Sequence, residues 1–198
     1  LWIPMSFLSI WRIPLLFFVS GMGVYFSMRK RNWKALFKER ATRILVPLVA
    51  GSLLIVPIQS LLWQVYYNQE LTPVIFPAHL WFLGNIFSYV LLLAPLLYYM
   101  KKHEEKLRSK VTKLINHQLK LIAFALPFIV STMLIEPETY SMYAYTLNGY
   151  VLGFIAFFLG YLFVFSGSIF WNTLSKWKWG FVIIGAGLYI TRVLAFEM

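Results

Sequence analysis

The sequence contains neither cysteine nor aspartate, and negative charge of any kind is scarce. Without cysteine, disulfides and thiolate metal sites are excluded. Three scattered histidines are too few to indicate a metal centre, so we predict none. No nucleophile elbow, phosphate-binding loop, HExxH or paired-carboxylate motif occurs, and no signal peptide is visible. The common soluble hydrolase and nucleotide-binding classes therefore receive no support.

What the chain has in abundance is apolar surface. Of its 198 residues, 60% are hydrophobic and 19% aromatic, whereas only 13% are charged. A soluble domain of this size cannot bury so much apolar area, so the excess must face lipid. The net charge of +11 does not indicate nucleic acid, because nearly all of it lies in short segments between apolar runs. The sequence predicts an all-α, polytopic transmembrane bundle whose partner is membrane lipid.

Six spans are predicted within one integral-membrane domain covering residues 1–198. They are 5–27, 44–66, 79–100, 119–135, 147–166 and 179–196. A crossing needs about 20 residues at about 1.5 Å of rise each. The fourth span is short and has Lys120 near one end, so it is the weakest as a separate crossing.

Basic residues alternate between the connecting segments. Segments 28–43 and 101–120 are rich in Lys and Arg, and Lys176 and Lys178 precede the last span. Segments 67–78 and 136–146 have no Lys or Arg. Since Lys and Arg mark the cytoplasmic side, the basic segments are predicted inside and both chain ends outside. An external N-terminus that opens on Leu1 is expected to follow at least one further span, and the C-terminus is also expected to be truncated.

Arg12 interrupts the first span. An arginine in mid-membrane costs about 2.5–3.5 kcal/mol on insertion scales and normally faces protein or water. On a helical wheel it shares one arc with small and polar residues, namely Ser9, Ser20, Gly23 and Ser27. Pro14 frees the Ile10 carbonyl close by. The stripe favours a buried polar cavity, and the alternative is that Arg12 extends outward to lipid headgroups.

Arg40 and Arg43 close the basic segment where the chain re-enters the apolar region. Two guanidiniums three residues apart on a helix lie one above the other and suit a phosphate group. The alternative is that they serve only the cytoplasmic charge bias.

Other polar residues within or beside the spans have weaker predictions. His79 begins the third span at a wet boundary and is either a proton carrier or an ordinary interfacial residue. Trp81 is interpreted as an interfacial anchor, and Gln59 as a partner for a neighbouring helix. A glycine stripe in the fifth span predicts close helix packing, through Gly149, Gly153, Gly160 and Gly167. Residues 101–118 form either a basic amphipathic helix on the inner leaflet or a solvated loop.

Three stretches carry a family resemblance. They are R-I-P-L-L-F-F-V-S-G from Arg12, R-A-T-R-I-L-V-P from Arg40, and H-L-W-F-L from His79. Together they resemble acyltransferase family 3, the integral-membrane acyltransferases. G-S-L-L-I-V-P-I-Q and L-L-L-A-P-L-L lean toward its periplasmic-glucan-modifying branch. The resemblance covers about residues 7–97.

The resemblance implies transfer of an acyl group from cytosolic acyl-CoA to a hydroxyl of an extracytoplasmic carbohydrate, with succinyl and a periplasmic glucan suggested by the branch. It implies donor binding by Arg40 and Arg43 and supporting catalytic roles for Arg12 and His79. The main catalytic histidine is expected in a helix before Leu1, so the 198 residues alone are expected to be inactive. No bound cofactor is implied, and the implied location is a bacterial inner membrane.

Two other functions remain open on the residues alone. A transporter or flippase for a lipid-linked sugar would share the polar cavity but would need no acyl-CoA. A non-catalytic packing module would use the polar residues only to join helices. The oligomeric state stays open as well.

Overall fold

The fold was analysed in a computed structural model, which describes residues 2–135 and 145–197. The described residues are helical apart from short connections, as the sequence predicts. The helices are α1 (Trp2–Lys30), α2 (Trp33–Arg40), α3 (Val46–Ala50), α4 (Val56–Tyr66), α5 (Trp81–Lys102), α6 (Glu104–Ile115), α7 (Gln118–Ala123), α8 (Leu126–Leu134), α9 (Leu147–Phe165) and α10 (Ser168–Glu197).

Two wide π-helical turns, Ala41–Leu45 and Gly51–Ile55, join α2, α3 and α4 into one continuous helix. Each turn precedes a proline, Pro47 or Pro57. A proline offers no N–H and its ring clashes with the carbonyl four residues earlier, so the helix widens locally instead of closing a normal turn. The predicted basic loop 28–43 is therefore mostly helical, with a tight break only at Arg31 and Asn32.

Three helices of the described residues are long and apolar enough to cross a membrane: Trp33–Tyr66, Ala78–Lys102 and Leu147–Phe165. A fourth is added if Glu104–Ile115 and Leu119–Leu134, which meet at a bend of 100°, count as one broken span. Six predicted spans are thus more than this part of the chain shows. The predicted fourth span, 119–135, is interrupted between α7 and α8.

The core forms where α1 packs along α9, the most extensive helix contact in the described residues. Glycine makes this approach possible on both sides. A Cβ atom on Gly21 would collide with the Phe157 carbonyl, and one on Gly160 would collide with the Phe18 carbonyl. The predicted glycine stripe is confirmed as a packing surface at Gly160, where backbones touch because no side chain intervenes.

Two other glycines of the predicted stripe, Gly153 and Gly167, differ from each other in how closely they pack. Gly153 also packs closely, since a Cβ there would lie 2.6 Å from the Tyr89 hydroxyl. Gly167 does not belong to the stripe: it follows the end of α9 with φ +79°, and a Cβ there would have no neighbour within 4 Å. This left-handed conformation favours glycine, so Gly167 terminates α9 and allows α10 to begin.

Most of residues 101–118 are helical rather than a solvated loop: Lys101 and Lys102 end α5, and α6 covers Glu104–Ile115. The apolar side of α6 packs into the protein, because Val111 and Ile115 belong to the hydrophobic core. Arg108 donates to the Phe165 carbonyl at 3.0 Å and to the Tyr25 hydroxyl at 2.8 Å. Lys101 donates to the Met28 carbonyl at 2.6 Å. Two basic side chains therefore satisfy carbonyls at the C-terminal ends of α9 and α1, where cations are favoured.

Candidate functional site

Three arginines, Arg31, Arg40 and Arg43, form a cluster at the basic end of the bundle, and two of them pair with Glu39. Glu39 is only 16% exposed; its carboxylate pairs with Arg31 and lies 3.2 Å from the Arg43 guanidinium. It also accepts a hydrogen bond from Ser27 at 3.0 Å. Arg40 lies in the positive field of Arg43 and Arg31. Two of the three positive charges thus share one negative charge and the third has no acidic partner among the described residues, which leaves the cluster suited to a further anion.

Arg40 reaches back onto α1. Its Nη2 atom lies 3.8 Å from the position that a Cβ atom on Gly23 would occupy. Its Nε atom is buried and has no hydrogen-bond partner among the described residues. An unpaired buried donor on a charged group is costly, and a ligand oxygen would satisfy it. The lower part of the predicted polar stripe, Gly23 and Ser27, therefore faces the arginine cluster.

The π-turn Ala41–Leu45 positions Arg43. Pro47 cannot donate to the Arg43 carbonyl, so the helix widens over the turn that contains Arg43. Arg40 is consequently directed toward α1, whereas Arg43 is largely exposed, at 73%. The two guanidiniums do not simply stack as the i, i+3 spacing predicts. One is partly enclosed and the other faces outward.

At the opposite end of the Trp33–Tyr66 helix lies a cavity of about 480 Å³. His79 lines it from a short 3₁₀ turn, and Gln59 lines it from α4. Aromatic side chains form much of the remaining wall, namely Trp63, Phe76, Trp81 and Tyr145. A second cavity of about 360 Å³ shares Trp81 and Tyr145 and adds Asn85 and Tyr150. These two cavities are called the outer cavities after the side of the membrane that the charge bias predicts for them. Together they combine flat apolar faces with a few hydrogen-bonding groups, as ligand sites do.

Local backbone geometry holds His79 at the cavity. Ala78 adopts φ +43°, a left-handed conformation that is strained for a residue with a Cβ atom. Its carbonyl accepts a hydrogen bond from the Tyr145 hydroxyl at 3.1 Å. Partial burial raises the pKa of Tyr145 above its ordinary value, and the phenol is in any case protonated at neutral pH and able to donate. Leu80 fills the space over Gly51 and fixes the other side of the turn.

A family model described as an acyltransferase domain matches residues 1–198. The chain belongs to acyltransferase family 3. Neither the curated proteins nor the solved structures compared with it gave a match. Family membership, together with apolar helices long enough to cross a membrane, makes this chain a membrane protein with the domain of a family 3 acyltransferase.

In this family 3 domain the predicted site residues fall into separate places. Arg40 and Arg43 lie in the basic cluster, whereas His79 lies in the outer cavity with Gln59. Arg12 is exposed on α1 and is not among the residues that line the outer cavities. His79 and Gln59 therefore line the same cavity. In the part of the chain that the structure describes, Arg12 does not line it.

Sequence reasoning missed several side chains that matter in the family 3 domain. Glu39 had a usable signal, because it stands four residues before Arg43 on a helix. No sequence pattern indicated the role of Tyr145, because Ala78 lies 67 residues away in the chain and only folding brings the two together. Trp81 was interpreted as an interfacial anchor but is half-buried, with its ring centroid 6.0 Å from that of Phe17. It is a wall between cavities and part of the packed interior.

Proposed function

We propose that this protein is a membrane acyltransferase that takes an acyl group from cytosolic acyl-CoA and transfers it to a hydroxyl of an extracytoplasmic carbohydrate. Family membership supports the transferase class. The observation that supports acyl-CoA as the acyl donor is the arginine cluster. In it, the buried Nε of Arg40 has no hydrogen-bond partner among the described residues. The phosphates of CoA are anions that guanidiniums bind with two parallel hydrogen bonds.

The outer cavity is the proposed place for the acceptor. Sugar rings present flat C–H faces and many hydroxyls, so they suit aromatic walls combined with amides. Trp63 and Trp81 offer such faces, and Gln59 and Gln69 offer amide donors and acceptors. Succinyl as the acyl group and a periplasmic glucan as the acceptor follow only from the resemblance to that branch of the family. A bacterial inner membrane is the location that the same resemblance suggests.

The distance between the two sites fits transfer across a membrane. Arg43 and Gln59 are on one continuous helix, and 16 residues of it correspond to at most about 24 Å of rise, because the two π-turns rise less per residue than α-helix does. That is most of an apolar layer of about 30 Å. The donor phosphates would stay at the basic end while the thioester reaches toward the outer cavity. A lipid-linked-sugar transporter would share the outer cavity but would need no CoA, and the transferase is preferred because the family model that matches the chain is that of an acyltransferase domain.

Chemically, the acceptor hydroxyl oxygen attacks the thioester carbonyl and a base takes the hydroxyl proton. The tetrahedral intermediate then collapses, the carbon–sulfur bond breaks, and the thiolate of CoA leaves and takes up a proton. The resemblance gives the base role to a histidine of a helix that precedes Leu1. His79 supports the step from the cavity wall by polarising the acceptor. The resemblance gives Arg12 a supporting role as well, but Arg12 is not among the residues that line the outer cavities.

The donor assignment is tested with Arg40→Ala plus Arg43→Ala in the full-length protein. We expect coenzyme A affinity to fall at least about a hundredfold, because two charge-assisted contacts are lost at about 1.5–3 kcal/mol each. Isothermal titration in detergent measures the affinity for coenzyme A.

The control variant Lys110→Ala plus Lys113→Ala removes the same amount of positive charge from α6 and should leave the affinity unchanged. Arg40→Lys plus Arg43→Lys keeps the charge but loses the planar fork, and should recover only part of the binding. Undiminished coenzyme A binding by the alanine double variant would refute the assignment.

A further inference from the structure

A second basic site lies beside the arginine cluster and shares Arg31 with it. It is a groove of about 1030 Å³ between the α1–α2 connection and α5. One wall is a single face of α5, formed by Ala94, Pro95, Tyr98, Lys101 and Lys102. The spacing of these residues, i, i+1, i+4, i+7 and i+8, repeats with the helical turn. The facing wall comes from residues 31–36, at the start of α2.

The groove is polar at one end and apolar at the other. Lys102 lies at the end of α5, and Ala94 lies eight residues earlier, which is about 12 Å deeper along a helix. The deep part is lined by Ala94, Pro95 and Leu36. Because Ala78–Lys102 is a helix suited to crossing a membrane, this apolar wall runs away from the basic end into the layer occupied by acyl chains.

The charge at the shallow end is not balanced. Four cations line the groove, namely Arg31, Lys34, Lys101 and Lys102, and no acidic side chain is among its lining residues in the described part of the chain. Arg31 pairs with Glu39 outside the groove, and Lys101 donates to backbone carbonyls. Lys34 and Lys102 have no ion pair or hydrogen bond among the described residues, which leaves two positive charges for an external anion.

Aromatic residues lie at the boundary between the two ends. Tyr98 is 56% exposed on the α5 wall, and Trp33 is half-buried on the α2 wall. Tyr and Trp are the residues enriched where a membrane changes from headgroups to hydrocarbon. Tyr98 lies between Lys101 and Pro95 along α5, so its level coincides with the change from cationic to apolar lining.

We propose that this groove is a binding site for an anionic phospholipid. Its phosphate lies against Lys34 and Lys102, and one acyl chain runs along Tyr98, Pro95 and Ala94. Basic pockets between transmembrane helices are known to suit anionic headgroups. A small soluble anion would satisfy the lysines but leave the apolar half of the groove uncovered, whereas a phospholipid matches both ends. This inference does not depend on the proposed acyl transfer.

The test is a titration of the full-length protein in detergent, followed by native mass spectrometry. The probes are dioleoyl phosphatidylglycerol, dioleoyl phosphatidylcholine and coenzyme A. We expect phosphatidylglycerol to bind at least about tenfold more tightly than phosphatidylcholine, since two cations face its phosphate. Lys34→Ala plus Lys102→Ala should lower phosphatidylglycerol affinity about thirtyfold. Lys110→Ala plus Lys113→Ala, the matched loss of two exposed lysines on α6, should leave it unchanged.

A second variant tests the apolar half without changing charge. Ala94→Trp fills the deep part of the groove and should lower phosphatidylglycerol affinity while leaving coenzyme A binding as it was. If Lys34→Ala plus Lys102→Ala does not fold, Lys34→Gln and Lys102→Gln are titrated singly and each should weaken binding. Equal losses in the α6 control, or undiminished phosphatidylglycerol binding by both groove variants, overturn the proposal. The proposal is also overturned if the groove variants lose coenzyme A binding but keep phosphatidylglycerol binding, because the groove would then belong to a soluble nucleotide.

Discussion

At the scale of single residues, Glu39 has the most consequence for the proposed donor site. Its carboxylate forms ion pairs with Arg31 and Arg43 and accepts a hydrogen bond from Ser27. It therefore already lies where the anion of a ligand would bind. A carboxylate in that position has two possible effects. It can compete with phosphate for the guanidiniums, or it can hold them in the orientation that phosphate needs. The buried, unpaired Nε of Arg40 favours competition, because the cluster still has a donor that Glu39 does not satisfy.

We therefore predict that Glu39→Gln tightens coenzyme A binding about tenfold, since one competing charge-assisted contact of about 1.4 kcal/mol is removed. Isothermal titration measures the change. Glu70→Gln, which neutralises an exposed acidic residue elsewhere, should have no effect. Weaker binding by Glu39→Gln would show instead that Glu39 orients the arginines.

Arg108 is the residue whose loss should destabilise the bundle most clearly. It donates to Phe165 and Tyr25, pairs with Glu104, and lies 5.7 Å from the centre of the Phe165 ring. We predict that Arg108→Ala lowers the free energy of unfolding by about 1.5–3 kcal/mol, because a charged hydrogen-bonded group is removed from several partners. Thermal unfolding in detergent measures the loss. Lys110→Ala, an exposed neighbour on the same helix, should change the midpoint little; an equal drop would exclude a special role for Arg108.

At the scale of helices, prolines and glycines decide the geometry. The prolines after each π-turn widen the Trp33–Tyr66 helix, and this separates the directions of Arg40 and Arg43. The glycines have the opposite effect and bring α1 and α9 into backbone contact. Both effects come from a missing group, either an N–H or a Cβ atom. A sequence reveals the missing group, but only the packed helices reveal what takes its place.

The α1–α9 contact gives a paired prediction. Gly160→Ala should destabilise the protein by about 1–3 kcal/mol, because its Cβ meets the Phe18 backbone and the helices must separate. Gly187→Ala is the matched control on α10, where a Cβ would have no neighbour within 4 Å. That control should be neutral or stabilising by up to about 1 kcal/mol, since alanine is the better helix former. The two thermal midpoints are compared in the same detergent, and equal midpoints would contradict the close contact.

At the scale of the whole molecule, one feature remains a prediction: which end faces the cytosol. The Lys and Arg bias places the arginine cluster and α6 inside and the His79 cavity outside. The proposed reaction requires this orientation, because acyl-CoA is on one side and the acceptor on the other.

The chain has no cysteine, so single introduced cysteines report on topology without background. We predict that Gln69→Cys is labelled by a membrane-impermeant maleimide in intact cells, whereas Lys110→Cys is labelled only after the membrane is opened. Both positions are exposed, so differences in labelling reflect the side of the membrane. Labelling of Lys110→Cys in intact cells would reverse the orientation and remove the basis for cytosolic donor binding.

Much of the protein follows from sequence alone. Hydropathy and charge are summed over neighbouring residues, so the membrane class, the helical fold and the basic and acidic segments are visible without a structure. The three motifs that begin at Arg12, Arg40 and His79 led to the family that the comparison with the family model confirmed. The positions of Arg40 and Arg43 at the end of an apolar helix were also predictable. The count of spans was less predictable. Among the described residues, the predicted spans 44–66, 79–100 and 147–166 correspond to helices suited to crossing a membrane, and 119–135 does so only as part of a broken span.

What only the tertiary structure decided is which groups face each other. Arg40 lies over Gly23, Glu39 is held between Arg31 and Arg43, and Tyr145 reaches Ala78 beside His79. The Trp81 side chain packs into the interior, and Gly167 lies just after the end of α9 instead of packing against another helix. These outcomes depend on how helices distant in sequence rotate about their axes, and that rotation is set by steric fit between whole surfaces. The composition of each helix limits the possible partners, but packing selects among them.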